Sequence, residues 1–117
     1  MTPDELRART KSFALRVVKV YRSLPRTADA QVMGKQLLRC GTSVAANYRA
    51  SCRARSRAEF AARIGVVVEE ADETGFWLEM LADAGIVRTA LLKDLLQEAK
   101  ELTAIFTATQ QSVRKRS

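Results

Sequence analysis

Histidine is absent from this 117-residue chain, which has only two cysteines, five glycines and two prolines. Without imidazole there is no nitrogen ligand for zinc and no base for a serine or cysteine nucleophile, and two cysteines alone do not complete a structural zinc site. Most familiar hydrolase layouts are thereby excluded; the expectation is a protein that is not an enzyme and carries no metal and no cofactor. The shortage of glycine and proline argues against folds with many tight connections, such as β-sandwiches or repeated βαβ units, and leaves a few long helices. No apolar run approaches the roughly eighteen residues that a membrane span needs. The opening Met1-Thr2-Pro3-Asp4-Glu5 is polar and acidic where a secretory signal is basic and then apolar, so the chain reads as cytoplasmic. Cys40 and Cys52, if they share one helix, stand about 18 Å apart along its axis, too far for a disulfide. Both read as small buried apolar residues.

What is present is 47% apolar and 28% charged, the balance of one globular domain over residues 1–117. Thr2, Pro3 and Glu5 make a capping box with proline at the first helical position, so a helix is expected from there to about Ser23, where Pro25 stops it. Its inner stripe is Leu6, Thr10, Phe13, Val17, Val20, Tyr21 and Leu24. Thr27 is placed to cap a second helix over about Ala28 to Ala54, with Met33, Leu37, Cys40, Gly41, Val44, Tyr48 and Ser51 inward. Ser56 and Glu59 form a second capping box and open a third helix ending near Gly85, with Phe60, Ile64, Val67, Val68, Ala71, Gly75, Leu78 and Ala82 on its core side. A fourth, with Leu91, Leu92, Leu95, Ala99, Leu102, Phe106, Thr109 and Val113 inward, runs to about Arg114 before a basic tail, Arg114-Lys115-Arg116. Short connections make successive helices antiparallel: an all-α, up-down-up-down four-helix bundle.

Charge is divided along the chain. Residues 1–57 carry 13 basic and 3 acidic side chains, whereas residues 58–113 carry 4 basic and 10 acidic ones. On the second helix Lys35, Arg39, Arg49 and Arg53 recur at helical spacing and continue into Arg55 and Arg57. Such a stripe is either a structural one, a solvated face or one salt-bridged between subunits to the acids of the third helix, or a surface for nucleic acid. No aromatic residue accompanies it on the outside, so phosphate contact is favoured over base stacking. The third helix is apolar on two sides: Val66, Phe76, Trp77 and Met80 lie away from its core stripe among Glu69, Glu70 and Glu73, the composition of an oligomer interface. Ser43 and Asn47, four residues apart, lack an activating base and read as structural. The carboxylates Glu69, Glu70, Asp72 and Glu73 lack the Glu-x-x-His partners of a di-metal bundle and read as salt-bridge acceptors.

Residues 36–50, Gln-Leu-Leu-Arg-Cys-Gly-Thr-Ser-Val-Ala-Ala-Asn-Tyr-Arg-Ala, followed by Cys52 to Phe60, resemble the second helix and turn of the bacterial 23S rRNA intervening-sequence proteins. Glu69-Glu70-Ala71-Asp72-Glu73-Thr74 with Trp77-Leu78-Glu79-Met80-Leu81 is similar to that family's third helix. The resemblance implies four antiparallel helices, a ring-like homopentamer and no established enzymatic activity. The accessory proteins of diversity-generating retroelements, a related family, use a similar basic pentamer to bind nucleic acid and a reverse transcriptase. The partners implied are therefore further copies of the chain, a nucleic acid, RNA before DNA, and in the second role a reverse transcriptase.

Overall fold

The structure, a computed structural model, describes residues 1–115, so Arg116 of the expected basic tail lies outside the described residues. Four helices follow one another: α1 (Pro3–Ser23), α2 (Ala28–Ser51), α3 (Arg57–Asp83) and α4 (Thr89–Lys115). α1 lies against α2, α2 against α3 and α3 against α4. α4 returns to α1 along the loosest of the four seams. The bundle measures 46 × 21 × 20 Å. Among the described residues no helix is long and apolar enough to cross a membrane.

The helix ends follow from local chemistry. Thr2 Oγ1 accepts the Glu5 N–H at 3.1 Å, and Ser56 Oγ accepts the Glu59 N–H at 3.0 Å, so both capping boxes form on the donor side. Thr27 caps α2 by position, without a side-chain hydrogen bond to the backbone; the Asp29 carboxylate takes the Ala30 N–H at 2.8 Å instead. α3 ends in a Schellman arrangement: the Ile86 N–H reaches the Leu81 carbonyl and the Gly85 N–H that of Ala82. Gly85 sits at φ 72°, where a side chain would be strained. α2 stops at Ser51, about a turn earlier than the spacing predicts.

The core runs the length of the bundle. Phe13, Val17, Leu37, Val44, Ile64, Leu78, Leu102 and Phe106 are fully buried, with Tyr48 and Phe106 rings 5.1 Å apart. The inward stripe is corrected at Leu91 and shifted near the end of α3, where Gly75 and Ala82 are only half-buried. Leu91 is 73% exposed, because it sits one residue, and hence ~100° of helix rotation, away from Leu92, which takes the core position in the first turn of α4. On α3 the deepest positions are Thr74 and Leu81 where the periodicity predicts Gly75 and Ala82, a rotation of the same size. Thr74 is tolerated there because its hydroxyl donates to the Glu70 carbonyl at 2.7 Å.

Glycine sets the approach of α1 to α2. A Cβ on Gly41 would fall 2.7, 2.8 and 3.0 Å from three carbons of Val17, whereas one on Gly75 would meet Leu96 and Ala99 at ordinary distances of 3.8 and 3.9 Å. Gly41→Ala is therefore expected to destabilise, its overpacking of ~1–3 kcal/mol exceeding the ~1 kcal/mol gained in helix propensity. Gly75→Ala is expected to stabilise by ~0.5–1 kcal/mol. Urea unfolding of the two variants checks this, and shifts of the same sign would remove the close approach at Gly41 as the reason for that glycine.

Candidate nucleic-acid interface

The four seams divide the charge unequally. On the α1/α4 seam, Arg9 grips Glu98 with two nitrogens, at 2.7 and 2.6 Å, and reaches Glu101 at 3.0 Å. On the α2/α3 seam, Arg39 binds Glu70 at 2.9 Å and Glu73 at 2.5 Å, and Glu70 is the charge chiefly responsible for holding the Arg39 guanidinium above its ordinary pKa. Each of these pairs a cation from the basic half of the chain with acids from the other half. The α1/α2 seam has no such supply, because both of its helices come from the stretch that holds only Asp4, Glu5 and Asp29 as acids.

That seam opens into a groove of about 660 Å³. Arg7 and Lys11 line it from α1, Arg49 from the last turn of α2 and Arg53 from the turn that follows it. The walls between are low, built from Ala8, Ala45 and Ala46, with Thr42 on the floor donating its hydroxyl to the Leu38 carbonyl at 2.7 Å. Arg7 pairs with Asp4 of its own helix, whose carboxylate is 85% exposed. The side chains of Lys11, Arg49 and Arg53 have no hydrogen bond or ion pair among the described residues. Groups this open can reorganise around an anion at little cost.

The six cations expected as a single stripe are thus not one surface. Arg49 and Arg53 face the groove. Arg39 leans the other way, because ten residues separate it from Arg49 and helical rotation over ten residues falls ~80° short of three full turns. It is consumed by α3, the structural role weighed for this stripe, and within one chain. Arg55 lies near Glu59 at 3.8 Å and also gives that carboxylate its backbone N–H. Arg57 opens α3 and is not a free cation. Lys35 is exposed on α2, about 21 Å along the axis from Arg49 and outside the groove.

Arg7 and Lys11 were not legible as site residues. The available signal was their i, i+4 spacing beside Ala8 on a helix expected to neighbour the basic one, but which flank of α1 meets α2 is a tertiary fact. Cys52 also lines the groove and is exposed, a correction to its expected burial. α2 ends before it, which leaves it in the turn at the mouth of the groove. Cys40 is buried as expected, and burial pushes its thiol pKa up. Beneath the groove wall, burial first and then a hydrogen bond with Cys52 push the Tyr48 phenol up to about 12. It is neutral at physiological pH and adds nothing to the local charge.

Ser43 and Asn47 form a strut. The Asn47 amide donates to Ser43 Oγ at 2.8 Å and to the Ser43 carbonyl at 3.0 Å, while its oxygen accepts from Arg63 of α3 at 3.2 Å. On the far side of α3, Val66 and Phe76 are 38% and 50% exposed, next to exposed Glu69. Trp77 and Met80 are half-buried. The Trp77 ring packs against the core and edge-on to Phe76, 4.9 Å between centroids, and its indole N–H donates to Glu73 at 3.3 Å. The second apolar side expected of α3 is therefore narrower than its composition implies, with Val66 and Phe76 as its exposed part.

A crystal structure of a protein of unknown function from the S23 ribosomal protein family of Bacteroides thetaiotaomicron superposes with a TM-score of 0.87 at 30% sequence identity, over 95% of this chain and 99% of that one. Among curated proteins none matches. Residues 5–108 match the 23S rRNA-intervening sequence proteins, a span that takes in all of α2 and α3 and most of α1 and α4. Sequence, helix order and superposition agree, and the chain belongs to the 23S rRNA-intervening sequence protein family.

Proposed function

We propose that this protein is a non-enzymatic, oligomeric scaffold that binds nucleic acid, RNA before DNA, through the cationic groove between α1 and α2. The observation that carries this reading is the set of Lys11, Arg49 and Arg53 around one open groove with no carboxylate partner among the described residues. Three exposed cations lining one groove repel, and a bound chain of phosphates is what relieves them. Self-assembly is supported by the α3 face, where exposed Phe76 and Val66 stand beside Glu69, an arrangement that leaves apolar area uncovered in a lone subunit. By family resemblance the assembly is a pentameric ring.

Two measurements test the reading. RNA affinity is expected to fall linearly with the logarithm of salt concentration, because phosphate binding releases counterions. Light scattering is expected to give several times, and for a pentamer five times, the 13.0 kDa chain mass. Absence of RNA binding at low salt overturns the first half, and a clean monomer at micromolar concentration overturns the second.

A further inference from the structure

We infer that the α1/α2 groove seats two successive phosphates of one nucleic-acid strand between two cation pairs, Arg7 with Arg53 and Lys11 with Arg49, and takes a single strand in preference to a duplex. This rests on the nucleic-acid reading above and adds the class of ligand. The register comes from the glycine contacts: Gly41 lies against Val17, and Gly34 against Tyr21 and Leu24. In this antiparallel pair, residues facing each other therefore sum to nearly the same number. Continued toward the α1 N-terminus, that register sets Lys11 level with Arg49 in the last turn of α2, and Arg7 level with the turn just past the helix that carries Arg53; all four line the groove.

On α1 the two cations are four residues apart, ~6 Å along the groove, and Arg53 follows Arg49 by the same four residues through the last turn of α2 and the turn after it. Adjacent phosphates along one strand have a similar spacing. Neighbouring helix axes lie only ~8–10 Å apart, which admits one backbone and not a duplex, whose width is close to that of the whole 46 × 21 × 20 Å bundle. The wall between the pairs is alanine, so the backbone can sink between them. The groove lining contains no aromatic residue, so bases point outward unread and sequence matters little. Arg7 enters this site already paired to exposed Asp4, a surface ion pair that a phosphate can displace.

The test uses fluorescence anisotropy with the full chain and three probes: a 12-nucleotide uridine RNA, an adenosine RNA of the same length, and the duplex they form. The two single strands are expected to bind within about threefold of each other and at least ~5-fold more tightly than the duplex, the loss of one phosphate contact at 0.1 M salt. Lys11→Gln is expected to weaken strand binding about fivefold and to flatten the salt slope by ~0.7. Asp4→Asn, which frees Arg7, is expected to tighten it by about two- to threefold. Equal or tighter duplex binding that still depends on Arg49 and Arg53 overturns this inference and leaves the nucleic-acid reading standing. Failure of all three probes to bind overturns both. Strand binding that is indifferent to Lys11→Gln but lost with Arg49 and Arg53 overturns the paired arrangement.

Discussion

Reversing Arg49 and Arg53 together, as Arg49→Glu with Arg53→Glu, is expected to lower RNA affinity by ~25-fold or more at 0.1 M salt while leaving the fold in place. The magnitude follows from counterion release: a single-strand phosphate contact contributes ~0.7 to the logarithmic salt slope, or about fivefold at this concentration, and two contacts are lost. Two added carboxylates repel what remains. Folding is expected to survive at a cost of ~1 kcal/mol, that of setting carboxylates at the C-terminal end of α2, because both side chains are exposed and neither has a partner among the described residues. Arg39→Ala is the complementary case. It strands Glu70, whose side chain is only 13% exposed, so stability falls while RNA binding holds. Filter binding and circular dichroism on both variants separate the two roles, and unchanged RNA affinity in the double reversal would place these arginines with Arg39 as structural cations.

Phe106→Ala is expected to be the most damaging single substitution for the fold. The ring is fully buried on α4 and lies 5.1 Å from Tyr48 of α2, so it bridges helices that are diagonal in the bundle. Its truncation leaves a cavity at the centre of a close-packed core, where loss of a phenyl group costs ~3–5 kcal/mol. For a domain of this size that corresponds to a fall of roughly 10–20 °C in the unfolding midpoint. Any assembly reading moves with it, because α3 is held in orientation by the same core. A loss below ~1.5 kcal/mol in denaturant unfolding would mean that the bundle collapses around the site and that the diagonal contact is not central.

The two halves of the proposed activity differ in how they were inferred. The α3 face was expected from composition, and part of it, Trp77, turned inward. A Trp at the edge of a helix stripe satisfies both readings in a one-dimensional pattern, since helix rotation accumulates over the twenty residues that separate Arg57 from Trp77. The cationic groove was expected from half its members. Arg49 and Arg53 were visible because they recur at helical spacing in one basic run; Arg7 and Lys11 were not, because their membership depends on which side of α1 meets α2.

Local chemistry therefore determined the helices, their order and their ends: Thr2 with Glu5, Pro25, Ser56 with Glu59 and Gly85 act over a few residues, and periodic apolar stripes report burial wherever the turn is regular. Family membership followed from the same stretches. The tertiary structure alone decided which cations remain available. Arg39 and Arg49 are the same residue type on the same helix in one basic run, yet Arg39 turns toward a seam that supplies acids and Arg49 toward one that does not. Electrostatic pairing depends on distance through space, and distance between helices is set by packing of side chains far apart in the chain, of which Gly41 against Val17 is the contact that brings α1 and α2 together.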